Sequence, residues 1–364
     1  MNTQSQTIID AATQLDTTLD ENNSAIDSLN GQLQACTDQG LLDKAQIADL
    51  QGKLKLVTAD DQSLAAKVLA LQSQLAARPL SFNIKSQLPP GIKLLANCQG
   101  WFNGADGSKH MANVCQSDDP RTVHNQVLAA HAVGIDGFVV DWYGPQAADF
   151  AKPTDRFTQL LAAATAPLGM EFSIMVDAGT FKWATGDHIS VLNSALAYIR
   201  QKYLPLANYT KIAGKPVLWE FGWANAKMDV SAFAKNNTDL TVLNQTSVAA
   251  NCAGSYGWVN GFAPSSPQQY IEFYLGKKDA IQIPCIFDGF DDHNPNDPAH
   301  SIWDKTAPAR KIPYGQWQMC IDEINKAAAS GKKCEAVQIC TWNDWDERTE
   351  MESRFLALAG LKLF

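Results

Sequence analysis

Two hydrophobic rhythms divide the chain. Over residues 1–78 apolar side chains recur in one unbroken heptad phase. Leu19, Ile26, Leu33, Ile47, Leu54 and Val68 fall at a, and Ile8, Leu15, Leu29, Leu50, Leu64 and Leu71 at d. A period of about 3.5 residues held this long, with polar b, c and f positions, predicts a coiled-coil stalk rather than a helix lying on a core. No aromatic residue precedes Phe82, as a thin helical rod requires. Gly40 and Asp43 enter the seam together, so a break near Asp38–Leu42 is expected. An intramolecular helical hairpin therefore stays open beside the preferred reading, a parallel homo-oligomer held in register by Asn22 and Asp61, a trimer being favoured over a dimer. The stalk ends at Arg78-Pro79, because the residue before proline is pushed out of the α region.

From residue 79 to 364 the rhythm changes to short continuous apolar runs alternating with amphipathic ones. Expected strands are Lys93–Cys98, Gly137–Asp141, Glu171–Asp177, Val217–Glu220, Leu240–Asn244, Tyr256–Val259, Ile283–Asp288 and Ala336–Cys340. Helical patterns lie between them, clearest at Val123–Val133, Phe157–Ala166, Val191–Tyr203 and Tyr314–Ser330, with Phe355–Phe364 as a closing helix. Buried strands alternating with helices predict a parallel sheet, and eight such units in about 285 residues predict an α/β fold, the (β/α)8 TIM barrel. The fifth and sixth units are the weakest, since Asn, Gly and Ser crowd their short connections.

Composition narrows the class. The chain is 46% hydrophobic and 18% charged, enough for a sizeable core. Its net charge of −9 contains no basic stripe, which argues against nucleic acid as a partner. No apolar run reaches membrane-spanning length, so no membrane partner is expected, and Met1–Asp10 lacks the features of a signal peptide. The eight cysteines form no zinc pattern. Cys98–Cys115 and Cys334–Cys340 are conceivable bridges, but free thiols are the expectation.

In a barrel, the chemistry sits at the C-terminal strand ends. Those ends carry Asp141, Trp142 and Tyr143, then Asp177, then Glu220 and Trp223, then Asp288. The densest stretch follows the eighth strand, where Trp342, Asn343, Asp344, Trp345, Glu347 and Glu350 lie within ten residues. All ten tryptophans belong to this part of the chain. Carboxyls and amides suit sugar hydroxyls, and flat rings suit the C–H faces of pyranoses. Two carboxyls three residues apart beside apolar rings suit general acid/base work, since burial can hold one protonated while its neighbour is ionised. Nucleotide and Ser-His-Asp motifs are absent. The acidic run Asp288–His300 offers oxygen ligands without the offsets of a calcium loop, and reads as a long loop covering the site. No metal and no cofactor is expected.

The segment T-W-N-D-W-D-E-R-T-E, residues 341–350, resembles the T-W-N-[DE]-x-x-E signature of glycoside hydrolases of families 71 and 99. G-I-D-G-F-V-V-D-W-Y-G, Gly134–Gly144, resembles the second-strand motif of their relatives, and the two stand in the family's order. The resemblance spans roughly Leu80 to Phe364. It implies hydrolysis of internal bonds in an α-linked polysaccharide, with Glu347 as general acid and Asp344 as its partner. In a family 99-like route that partner deprotonates the sugar 2-hydroxyl, giving an anhydro-sugar; in a family 71-like route it activates water. Asp344 follows the family 71 form, while Asp346 and Arg348 replace smaller or neutral residues. An enzyme barrel behind an oligomeric stalk resembles a phage tail fibre or tailspike, with a secreted bacterial enzyme as the competing account. A glycan-binding module without catalysis is the alternative function.

Overall fold

The computed structural model describes residues 82–102, 116–145, 151–182, 187–259, 275, 281–294, 297–302, 306–332 and 334–358. All belong to one unit, Phe82–Phe364. The expected stalk, with Asn22 and Asp61 in its seam, lies outside the described residues.

The strands are, in chain order, β1 (Lys93–Gln99), β2 (Gly137–Trp142), β3 (Glu171–Asp177), β4 (Lys211–Ile212), β5 (Lys215–Phe221), β6 (Thr241–Gln245), β7 (Gly254–Tyr256), β8 (Ile281–Ile283), β9 (Cys285–Ile286), β10 (Phe290–Asp291), β11 (His293–Asn294), β12 (Asp297–Ser301), β13 (Lys311–Ile312) and β14 (Ala336–Ile339). Parallel pairing runs β8-β7-β6-β5-β3-β2-β1-β14-β9. The ends of that path are joined by a single residue, Pro284. Pro284 has no N–H, so the ladder breaks there, but its carbonyl still accepts from Gln338 N at 2.9 Å. The stretch 281–286 is thus one stave, paired to β7 below the proline and to β14 above it. Eight parallel staves close a TIM barrel.

The helices are α1 (Pro120–Ala132), α2 (Ala151–Thr165), α3 (Gly179–Lys182), α4 (His188–Lys202), α5 (Val230–Asn236), α6 (Trp317–Ala329) and α7 (Glu352–Leu358). Their starts are written in sequence. Asp119 caps α1 by accepting from the Arg121 and Thr122 amides, and Asp187 caps α4 through Ile189 and Ser190. Val123, Val127 and Ala130 of α1, and Leu192, Leu196 and Ile199 of α4, lie at helical spacing and are buried.

The sixth stave starts earlier than expected, at Gly254 rather than Tyr256, and its first position needs a glycine, since a Cβ there would overlap the Ile281 carbonyl. The fifth unit has no helix, residues 246–253 forming turns between β6 and β7. Cys98, Cys252, Cys285, Cys320, Cys334 and Cys340 are free thiols. Among the described residues no helix is long and apolar enough to cross a membrane.

Register fixes which side chains face the lumen. Asn97 Nδ2 and the Tyr256 hydroxyl both approach Met175 Sδ, at 3.6 and 3.8 Å, from staves that are not its neighbours. Met175 therefore points inward. Gln99, Asp141, Met175 and Trp219 are aligned across β1, β2, β3 and β5, so Asp141 shares that inward layer at the C-terminal rim. Trp142, the next residue, faces outward.

Candidate active site

The segment after β14 is stapled to the barrel and to itself. Trp342 N donates to Asn97 O at 2.6 Å. Asn343 then grips the Gln99 backbone with both ends of its amide, Oδ1 accepting from Gln99 N at 2.7 Å and Nδ2 donating to Gln99 O at 3.0 Å. Asp344 N donates to Thr341 Oγ1 at 2.9 Å, and Thr349 N returns to Asp344 O at 3.0 Å. The spacing Thr341-x-x-Asp344 is the sequence signal for this turn. With its backbone fixed on both sides, Asp344 accepts from Glu347 N at 3.1 Å through Oδ1. The two carboxyl-bearing residues are parts of one rigid turn.

Asp344 is buried, and this burial pushes its carboxyl well above the ordinary range, with Glu347 adding to the rise and the Glu347 amide opposing it. Asp141, 2% exposed, is pushed up by burial and then by Asp177, Asp344 and Glu347. Tyr143 completes the group: its hydroxyl is raised by burial and then by the charges of Asp177 and Asp141, and it hydrogen-bonds Asp177. Residues from the second, third and eighth staves thus meet at the inner rim, four of them acids.

An aromatic wall stands beside these acids. Trp101 meets Tyr143 edge-on at 5.6 Å, and Phe102 meets Trp345 at 5.0 Å. Tyr143 and Trp345 are only partly buried. They present ring surface a pyranose can use.

Most other site candidates, Glu350 excepted, are committed to the scaffold. Both Glu220 oxygens accept backbone amides, from Gln245 at 2.7 Å and Trp223 at 3.2 Å. Trp223 is buried and donates its indole N–H to Val176 O at 2.7 Å. Trp342 is buried against Phe138. Trp142 donates to Asp155 Oδ1 at 3.2 Å and stacks on Tyr198, outside the lumen. Asp288 accepts from Gly315 N at 2.9 Å and pairs with Arg354. Glu350 is half-buried, and burial pushes it up to about 7.

The acidic run after the seventh stave is a knot of ion pairs. Asp291 pairs with His293, with Lys311 at 3.3 Å and with Arg348 at 3.1 Å; Asp292 takes Arg310 at 2.6 Å. Cationic side chains occupy the oxygens a metal would need, and no cluster among the described residues could hold one. The knot packs on the candidate turn, since Asp291 N donates to Glu347 O at 2.9 Å and the Tyr314 hydroxyl to Arg348 O at 3.0 Å. Asp291 lies in the acidic run expected after the seventh strand, whereas nothing in strand-end position singles out Thr341 or Thr349.

No protein-family model matches the chain, and neither does any curated protein. Solved structures do. One is the GH99 endo-α-mannosidase from Bacteroides thetaiotaomicron, 18% identical, with a TM-score of 0.53 over 73% of this chain and 88% of that one. Another, described as a glycoside hydrolase-like protein, is 13% identical with a TM-score of 0.51, over 76% and 89%. The chain shares their fold. At these identities the likeness speaks for the barrel alone.

Proposed function

We propose that the protein is a glycoside hydrolase that cleaves internal bonds of an α-linked surface or capsular polysaccharide, in the manner of families 71 and 99. The observation that carries this reading is the rigid turn that fixes Asp344 against Glu347 at the C-terminal mouth of the barrel. Glu347 serves as general acid to the leaving oxygen. Asp344, whose burial raises its proton affinity, serves as the base, because a carboxylate poised upward takes a proton better near neutral pH. Asp141, Tyr143 and Asp177 hydrogen-bond sugar hydroxyls, and Trp345 and Tyr143 stack on ring faces. The fold likeness to an endo-α-mannosidase supports the same reading.

The test is incubation of wild type and Glu347→Gln with α-mannans, α-glucans and bacterial capsular polysaccharides, followed by product sizing. Cleavage by wild type and none by the variant is expected. NMR of fresh products separates the anhydro-sugar route, which retains the anomeric configuration, from direct attack by water, which inverts it. Binding without cleavage in both proteins would instead make the barrel a glycan-binding module.

Residues 1–78 are proposed as a stalk that gathers several barrels, as in a phage tail fibre, raising avidity for a repetitive glycan without new contacts. Sedimentation of the full chain tests this, a trimer being the expected species.

A further inference from the structure

We infer that Asp141 serves this centre as a neutral acid, giving its proton in a hydrogen bond to a substrate hydroxyl held between it and the Asp344–Glu347 pair. The inference rests on the glycosidase reading and adds to it a proton position that the Glu347–Asp344 scheme leaves open.

Three observations carry it. Asp141 points into the lumen, by its alignment with the inward Met175. Its Oδ1 is buried with no hydrogen-bond partner among the described residues. Among the described residues, the charges that act on it are acidic: Asp177 from the third stave, and Asp344 and Glu347 from the turn after the eighth. The other titratable groups that feel Asp141 are Cys98 on the first stave, Tyr143 on its own, and Tyr256 on the sixth. None of these is a cation.

Two other buried acids, Asp155 and Asp292, are treated differently. Asp155 receives Trp142, Gln159, Tyr198 and Tyr203, while Asp292 receives Arg310 and Ser301. A buried carboxylate without donors is a costly species, whereas a buried carboxylic acid needs only an acceptor. A sugar hydroxyl entering the lumen supplies that acceptor. Glu347 and Asp344 remain to exchange protons with the substrate, and the Asp141 proton stays on Asp141 throughout.

The test compares Asp141→Asn with Asp141→Ala, since an amide donates where the acid did. On whichever α-mannan or α-glucan wild type cleaves, Asp141→Ala should lose roughly a hundredfold in kcat/KM and Asp141→Asn should recover about tenfold of that loss. The wild-type fall in activity on the alkaline side should move to higher pH in Asp141→Asn. An Asn variant as impaired as the Ala variant would overturn the inference, for the group would then work ionised. Carbon-13 NMR of aspartate-labelled wild type gives a readout that needs no turnover. The Asp141 carboxyl resonance, assigned by its loss in Asp141→Asn, should stay at its protonated position at pH 7. Titration near the ordinary value of about 4 would overturn the inference. If wild type cleaves no polymer, the glycosidase reading fails by itself, while the NMR result still decides the proton.

Discussion

The backbone amide of Glu347 donates to Oδ1 of Asp344 at 3.1 Å, so the residue proposed as acid also positions the residue proposed as base. The Thr341 hydroxyl holds the other end of the turn through Asp344 N at 2.9 Å. Glu347→Gln keeps the turn but removes the proton, and should lower kcat by about 10²–10⁴-fold with little change in KM. Thr341→Val leaves Asp344 N and Thr349 Oγ1 without that hydroxyl. It should lower kcat by about tenfold and broaden the pH profile, as the Asp344 carboxyl loses its fixed place. Steady-state kinetics across pH checks both, and a Thr341→Ser variant with wild-type rates would confirm that the hydroxyl, not the methyl, matters.

Asn343 looks like a sugar-binding amide in the sequence, yet it takes the Gln99 N–H and C=O at 2.7 and 3.0 Å. Its effect should therefore be on stability. Asn343→Ala strands two buried backbone groups, each costing about 1–3 kcal/mol, and should lower the urea midpoint accordingly. Wild-type stability with a raised KM in this variant would return Asn343 to the binding surface.

How far the sequence spoke for the structure follows from the same contrast. Continuous apolar runs between amphipathic ones found the staves, and Glu171–Asp177 is observed with its expected bounds. Gly254 escaped because it is a poor strand former chosen for a close backbone approach, whereas Pro284 falls inside the expected Ile283–Asp288, whose stave begins two residues earlier, at Ile281. At the site, strand-end position located Asp141, Tyr143, Asp177, Asp344 and Glu347 together. It gave no orientation for Glu220 or Trp223, whose polar atoms turn to backbone partners. Alternation along β2 does separate inward Asp141 from outward Trp142, and that signal was available in the sequence.

Glu352 gives a pH dependence with a definite sign. It is fully buried at the start of α7, and burial raises its carboxyl to about 8, with the Gln126 amide at 3.4 Å opposing the rise too weakly. A carboxyl raised in the folded state binds protons more tightly there than when unfolded. Its contribution is present in full below the unfolded value of about 4.5 and is lost as pH rises through about 8. Glu352→Gln should remove that loss. Thermal melts should show the variant gaining on wild type between pH 5 and pH 9, by on the order of 3–5 kcal/mol. A difference between the two proteins that stays flat with pH would mean that Glu352 is ionised in the fold.

Asp291 joins the long seventh-stave loop to the proposed catalytic turn by two kinds of contact. Its backbone amide holds Glu347 O at 2.9 Å, and its carboxylate faces His293, Lys311 and Arg348. Burial alone would raise this carboxyl, but the hydrogen bond from His293 and the nearby cations outweigh it and hold it below the ordinary range. The sign is opposite to that of Glu352: the contribution is present above the unfolded value and is lost as pH falls through the folded one. Lys311 and Arg348 are largely exposed, so either pair alone contributes at most about 1 kcal/mol, and salt screens it. Arg348→Ala or Lys311→Ala should therefore change unfolding free energy and rate little. Asp291→Ala releases all three partners at once and frees the loop that fixes Glu347 from behind. It should lower kcat several-fold while leaving the melting temperature within a few degrees of wild type. Equal loss of activity in Arg348→Ala would place the coupling in that single pair rather than in the knot.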